Sequence, residues 1–188
     1  MAYSAGDIKK GMKLDIDGAP YVVTEAQFVK PGKGQAFQRT KMKNLITGAT
    51  LDRTYKIVEK VEAADIEEHE MQYLYNDGED YHFMNSETFE QFPIAGKVLG
   101  DATKWLIDEM MTQVLFYKGR PVNIELPNFV ELQIEYTEPG MKGNTAQGAT
   151  KTARLTTGAE VQVPLFVDQD EWLKIDTRTG QYVERVKK

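Results

Sequence analysis

Three turn dipeptides, Asp17-Gly18, Pro31-Gly32 and Thr47-Gly48, punctuate the first third of the chain, and the runs between them are short and rich in β-branched and aromatic residues. This spacing predicts consecutive antiparallel hairpins in a small, twisted all-β module. The middle hairpin carries the most information. Its tip reads Lys30-Pro31-Gly32-Lys33-Gly34-Gln35. Pro31 presets φ for the second position of a turn, and Gly32 can supply the positive φ of a type II turn at the third. Lys33 then falls at the fourth corner, and Gly34 beside it has no Cβ to crowd the ammonium. The flanking stretches 20–29 and 36–43 alternate as paired strands do. Side chains on a strand repeat every two residues, so Arg39, Lys41 and Lys43 share one face. A hairpin of about eight residues per strand reaches roughly 25 Å, far enough for its tip to enter a site closed to the body.

Charge separates this arm from the rest. Positions 26 to 51 hold five basic residues and no Asp or Glu, in a chain of 188 residues whose formal charge is −6. Residues 1 to 63 carry 11 Lys/Arg against 7 Asp/Glu, while 64 to 188 carry 12 against 22. A basic module joined to an acidic remainder points to a polyanion at one end only. The absence of cysteine excludes disulfides, thiolate zinc sites and cysteine nucleophiles. Neither a signal-peptide core nor a membrane-length apolar run is present in the sequence, so a soluble, cytoplasmic protein is expected.

Three modules are expected: 1–63 as an SH3-like barrel, 64–127 and 128–188 as OB-type barrels. In the second, 71–75 and 81–84 read as strands around Asn76-Asp77-Gly78, and the stretch after Asp101 reads as a short helix or strand leading to Lys118-Gly119. The third opens on the near-strict alternation of 129–136. At an offset of 91 residues, Leu74, Tyr75, Tyr81, Met84, Asn85, Ser86 and Thr88 face Leu165, Phe166, Trp172, Ile175, Asp176, Thr177 and Thr179, which suggests that the second and third modules share one fold. The Gly- and Thr-rich stretch 138–151 reads as an exposed contact loop.

No catalytic constellation emerges. Lys33 is either a solubilising turn lysine or a presented amine, and Arg39, Lys41 and Lys43 are either edge-strand charge or phosphate contacts, with the missing acids favouring phosphate. Tyr73, Tyr75, Tyr81, Phe83, Trp105 and Trp172 read as barrel core before stacking platforms. His69 and His82 lack a second ligand at metal spacing, and the Pro31–Gly34 stretch lacks the spacing of a nucleotide-binding loop. Neither cofactor nor metal is expected.

Several ordered motifs carry a family resemblance: residues 30–37, Tyr73 to Gly78, Phe83-Met84-Asn85, Glu87 to Gln91, Pro127 to Leu132, Lys151-Thr152-Ala153, Val161 to Val167, and Asp176 to Gly180 with Tyr182. Together they closely resemble the bacterial elongation factor P family from end to end. Two departures stand out: Asp170 where the family signature usually ends in Gly, and Asn144 where its Gly-Asp-Thr loop has Asp. The resemblance implies three barrels, a KOW-type SH3-like domain and two OB-folds, in an L-shaped, monomeric mimic of tRNA that promotes peptide-bond formation at consecutive prolines without being an enzyme. Its implied partners are the 70S ribosome, peptidyl-site tRNA, ribosomal RNA and an enzyme that extends Lys33. Gly143, Asn144 and Thr145 would approach the exit-site codon, and Tyr182 and Arg185 the small subunit and tRNA. An elongation factor P-like paralogue or a generic RNA-binding module with other targets is the alternative, and an enzyme of unknown type a remoter one.

Overall fold

The computed structural model describes residues 1–140 and 148–188, and among these the chain forms three antiparallel sheets. The first contains β1 (Ala2–Ser4), β2 (Lys13–Ile16), β3 (Ala19–Val29), β4 (Phe37–Asn44), β5 (Thr50–Lys56) and β6 (Lys60–Ala63), in the order β1-β6-β2-β3-β4-β5. Its core is Ile8, Leu14, Ile16, Val23, Met42, Tyr55 and Val61. At the β2–β3 turn Asp17 (φ +53°) and Gly18 (φ +81°) are both left-handed, which matches the twist of the flanking strands.

The second sheet runs β11-β10-β7-β8-β9, from β7 (Ile66–Asn76), β8 (Asp80–Asn85), β9 (Gln91–Ala95), β10 (Met111–Tyr117) and β11 (Arg120–Glu125). The third runs β14-β13-β12-β15-β16, from β12 (Phe129–Thr137), β13 (Thr150–Leu155), β14 (Glu160–Pro164), β15 (Trp172–Asp176) and β16 (Gln181–Val186). Numbered within their own sheets, both follow the order 3-2-1-4-5, and in both the third and fifth strands approach each other as in a curled OB barrel. The two modules do share a topology, but the 91-residue offset does not align their strands: it sets Tyr81 of β8, a second strand, against Trp172 of β15, a fourth.

What the offset caught is a turn used three times. Asn44, Asn85 and Asp176 each end a strand, and their side-chain Oδ1 accepts the N–H two residues on, from Ile46 (2.8 Å), Glu87 (2.8 Å) and Arg178 (2.9 Å). Each backbone carbonyl then accepts the N–H four residues on, from Gly48 (2.9 Å), Phe89 (2.9 Å) and Gly180 (2.7 Å). That last residue is left-handed every time, at φ +74°, +60° and +71°.

The chain divides into two compact units, one of Met1–Gly100 with Gln113–Glu125 and one of Asp101–Thr112 with Leu126–Lys188. The stretch after Asp101 is a 3-10 segment ending at Trp105, preceded by a one-turn helix (Gly96–Leu99). Trp105 is buried with Val130, Leu132, Ile134, Leu155, Val163, Leu173 and Ile175 in the core of the second unit. The alternation read over 129–136 buries Val130, Leu132 and Ile134.

Within the first unit the two sheets are fastened at one joint. Lys13 on β2 donates to Glu68 on β7 (2.6 Å) and pairs with Glu125 on β11 (2.8 Å). The Tyr117 hydroxyl is shared between Asp15 Oδ2 and the Gly18 carbonyl (both 3.1 Å), and Asn123 Nδ2 donates to the Leu45 carbonyl (3.2 Å). Leu45, Leu115, Tyr117 and Val122 fill the space between, with Val22 and Ile66 against them. Burial alone would lower the Lys13 pKa, but hydrogen bonds and charge from Glu125 and Glu68 outweigh it, and the net displacement is upward from 10.5.

Lys13→Ala is therefore expected to cost about 1–2 kcal/mol in urea unfolding, because two carboxylates are left facing each other, while Lys13→Arg retains most of the stability. The contribution of this lysine should be complete below pH 10.5 and decline as pH rises through its higher folded value. Asp170 offers the opposite case. It is left-handed (φ +65°) and its backbone is fixed by bonds to Ile134 O (3.2 Å) and from Gln133 Nε2 (3.1 Å). Asp170→Gly relieves that conformation and should raise unfolding stability by about 0.5–1 kcal/mol in the same titration.

Candidate nucleic-acid interface

The long hairpin pairs β3 with β4 from Tyr21↔Asn44 out to Val29↔Phe37. One irregularity interrupts it, between Val23 and Glu25, where the Thr24 hydroxyl donates to the Lys41 carbonyl (3.0 Å). Beyond the last pair, Lys30 to Ala36 form a seven-residue loop. The type II turn expected at Pro31-Gly32 is not what forms. The left-handed residue is Gly34 (φ +114°), not Gly32, and a Cβ at Gly34 would stand 3.8 Å from Pro31 Cγ. The chain thus reverses over a seven-residue loop whose left-handed position falls two residues later than a tight turn at Pro31-Gly32 would place it. Lys30, Gly32, Lys33, Gly34 and Gln35 are all exposed, and Lys33 has no hydrogen-bond or ion-pair partner among the described residues.

Arg39, Lys41 and Lys43 do share a face of β4, alternating with buried Gln38, Thr40, Met42 and Asn44. That face is not free of acid. Register places Lys41 between Glu25 on β3 and Asp52 on β5, and its Nζ lies 3.6 Å from Glu25 Oε1. Both acids sit just outside the acid-free run of 26 to 51, so a linear count could not see them. Arg39 lies over the Phe37 ring (5.5 Å), and Lys43 is half-buried beside the Thr47-Gly48 turn. Sequence reasoning also missed Arg53 and Lys10, which with Glu25, Gln27, Arg39, Lys41 and Asp52 line a groove of about 680 Å³ along the middle of the hairpin. Arg53 lies over Tyr55 (5.2 Å) and within 3.8 Å of Asp17. Its pairing with Thr40 turns its side chain to the opposite face of the sheet from Arg39 and Lys41.

The remaining candidates scatter. Gly143, Asn144 and Thr145 lie outside the described residues. Tyr182 packs against the core of the second unit. Arg185 is taken up by Glu171 (2.9 Å) and by the Phe166 ring (4.9 Å). Tyr73, Phe83 and Trp105 are core, Tyr81 and Trp172 are half-buried, and Tyr75 is exposed and stacked on His82 (4.6 Å, 18°). His82 pairs with Asp77 (2.9 Å), whose carboxyl is held well below the usual range by the Asp80 N–H first, then by His82 and the Glu79 N–H. No cluster of three metal-ligating side chains occurs among the described residues, and no helix among them is long and apolar enough to cross a membrane.

Comparison with known proteins matches each sheet to a described domain. Residues 4–61 match the elongation factor P KOW-like domain, 66–124 the elongation factor P OB domain, and 130–185 the elongation factor P C-terminal domain. The chain belongs to the elongation factor P family. Relatives named elongation factor P in Acetivibrio thermocellus and Moorella thermoacetica are each 53% identical over 97% of this chain, covering 99% and 98% of their own lengths. The solved structure of eukaryotic translation initiation factor 5A from Methanococcus jannaschii superimposes with a TM-score of 0.51 and 21% identity, over 64% of this chain and 89% of that one, a likeness of fold. As a member of the elongation factor P family the chain is a translation elongation factor.

The loop geometry separates its two glycines. Gly34→Ala should perturb the amide resonances of 30–36 and cost about 1 kcal/mol of local order, whereas Gly32→Ala, with nothing within 4 Å of a Cβ, should leave the spectrum close to that of the parent.

Proposed function

We propose that this elongation factor binds the 70S ribosome beside peptidyl-site tRNA and presents Lys33, lengthened by a modifying enzyme, to the CCA end. The observation that supports this most is the exposed, unpartnered Lys33 at the tip of a paired finger whose base is bolted to a second sheet. In this reading Arg39, Lys41 and Lys43 contact RNA phosphate, with Lys41 sharing its charge with Glu25, so these contacts place the finger and carry no sequence information. The acting domains are 1–63, 64–127 and 128–188. The loop with Gly143, Asn144 and Thr145 approaches the exit-site codon, and Tyr182 and Arg185 lie toward the tRNA and small subunit, Arg185 exchanging Glu171 for an outside acceptor. The protein works in the cytoplasm as a monomer.

Proline is a hindered, secondary amine, and consecutive prolines leave peptidyl-tRNA poorly aligned for attack. Alignment alone lowers a barrier substantially, with about 7–11 kcal/mol as the ceiling for ideal orientation. An amine packed against the CCA end needs to recover only part of that. Chemistry stays with the ribosome, and the finger contributes position.

Lys33→Met removes the amine and leaves the loop backbone free to form. Synthesis of a reporter with consecutive prolines should slow about tenfold or more, while a proline-free reporter proceeds at the parent rate. Equal rates on both reporters would refute the proposal.

A further inference from the structure

Among the three copies of the Asx-started turn, two place glycine at the left-handed fifth position, Gly48 and Gly180, and one places Phe89. The copies otherwise agree in detail. In each, the threonine at the fourth position also accepts the N–H two residues on: Ala49 to Thr47 (3.3 Å), Glu90 to Thr88 (3.4 Å) and Gln181 to Thr179 (3.3 Å). The loop therefore dictates φ near +60° at residue 89, a conformation that bulky L side chains avoid. No compensation comes from packing. Phe89 is 70% exposed, with no ring or cation contact among the described residues. An aromatic ring kept where glycine would be easier, and held in water, has its use outside this molecule.

The surroundings choose the partner. From Val61 to Ala95 the chain carries ten Asp/Glu and no Lys or Arg. Glu87 and Glu90 flank the ring in the loop itself, both exposed. Such a field repels phosphate and attracts cations. A single exposed aromatic flanked by two exposed carboxylates has the make-up of an interface anchor with a charged rim.

We infer that Phe89 anchors a protein–protein contact, entering an apolar pocket on a Lys/Arg-rich protein surface while Glu87 and Glu90 pair with cations at its edge. Resting on the ribosomal reading above, the partner is a basic protein bordering the site this factor occupies on the ribosome. Phe89→Gly separates this role from a structural one, because glycine suits the backbone better. The Tm of the full-length variant should equal that of the parent or exceed it by up to about 4 °C. Its Kd for 70S ribosomes carrying peptidyl-site tRNA should weaken about tenfold or more. Should glycine loosen the loop, Phe89→Asn, which also tolerates this φ, carries the same expectation. Reversing both flanking charges, Glu87→Lys with Glu90→Lys, should weaken binding as well, and p-benzoylphenylalanine at position 89 should cross-link to a ribosomal protein. A Phe89→Gly affinity within twofold of the parent overturns the inference. So does tighter binding on charge reversal with cross-links to ribosomal RNA, which would assign the surface to RNA. If the parent protein itself does not bind ribosomes, the proposed function fails; if it binds and Phe89→Gly binds equally, this inference alone fails.

Discussion

Lys13, held between Glu68 and Glu125 and only 17% exposed at its side chain, ties the sheet that carries the finger to the sheet beside it. A charge in that position is stable only with both carboxylates in place, so the pairing is a condition on geometry as much as a source of stability. The Tyr117 hydroxyl reaches the β2–β3 turn from the other side, and Leu45 at the foot of β4 is buried against Leu115 and Val122. A two-stranded ribbon alone is barely stable in water. Here β5 pairs with β4 from Lys43↔Thr50 out to Phe37↔Lys56, so the hairpin is part of a larger sheet, and only Lys30 to Ala36 at the far end have no strand partners.

Much of this was legible because strands and turns write local signals. Asp17-Gly18 and Thr47-Gly48 turn where expected, and the alternation of 129–136 appears as buried Val130, Leu132 and Ile134. The tip was misread at one residue for a definable reason. Pro31-Gly32 suits a tight turn locally, but the strands stop pairing at Val29 and Phe37, and the seven-residue loop between them puts its left-handed position at Gly34. The acid beside Lys41 was invisible for a different reason: Glu25 and Asp52 flank it through register, and register includes an irregularity that no count along the chain reveals. The repeat was half right in the same manner, since likeness at 91 residues reported a turn that recurs and not strands that correspond.

The division of charge takes on a spatial meaning in the sheets. Cationic side chains line the outer face of β4 and the groove along it, interrupted by Glu25 and Asp52, while the strands of the second sheet that follow contribute carboxylates with no basic residue through Ala95. Positive charge spread over a whole surface holds any polyanion it meets, and concentrating it on one arm makes such contact depend on where that arm reaches.

The irregularity at Thr24 gives this arm a further property. Val23 faces Met42 and Glu25 faces Lys41, so Thr24 is surplus to the ladder and is retained through its side-chain bond to the Lys41 carbonyl. An extra residue in one strand bends that strand and tightens its coil without altering any pair above or below. Direction and reach are consequently governed by separate parts of the chain: the count of paired residues fixes how far the amine travels, and one supernumerary threonine fixes the heading on which it sets out.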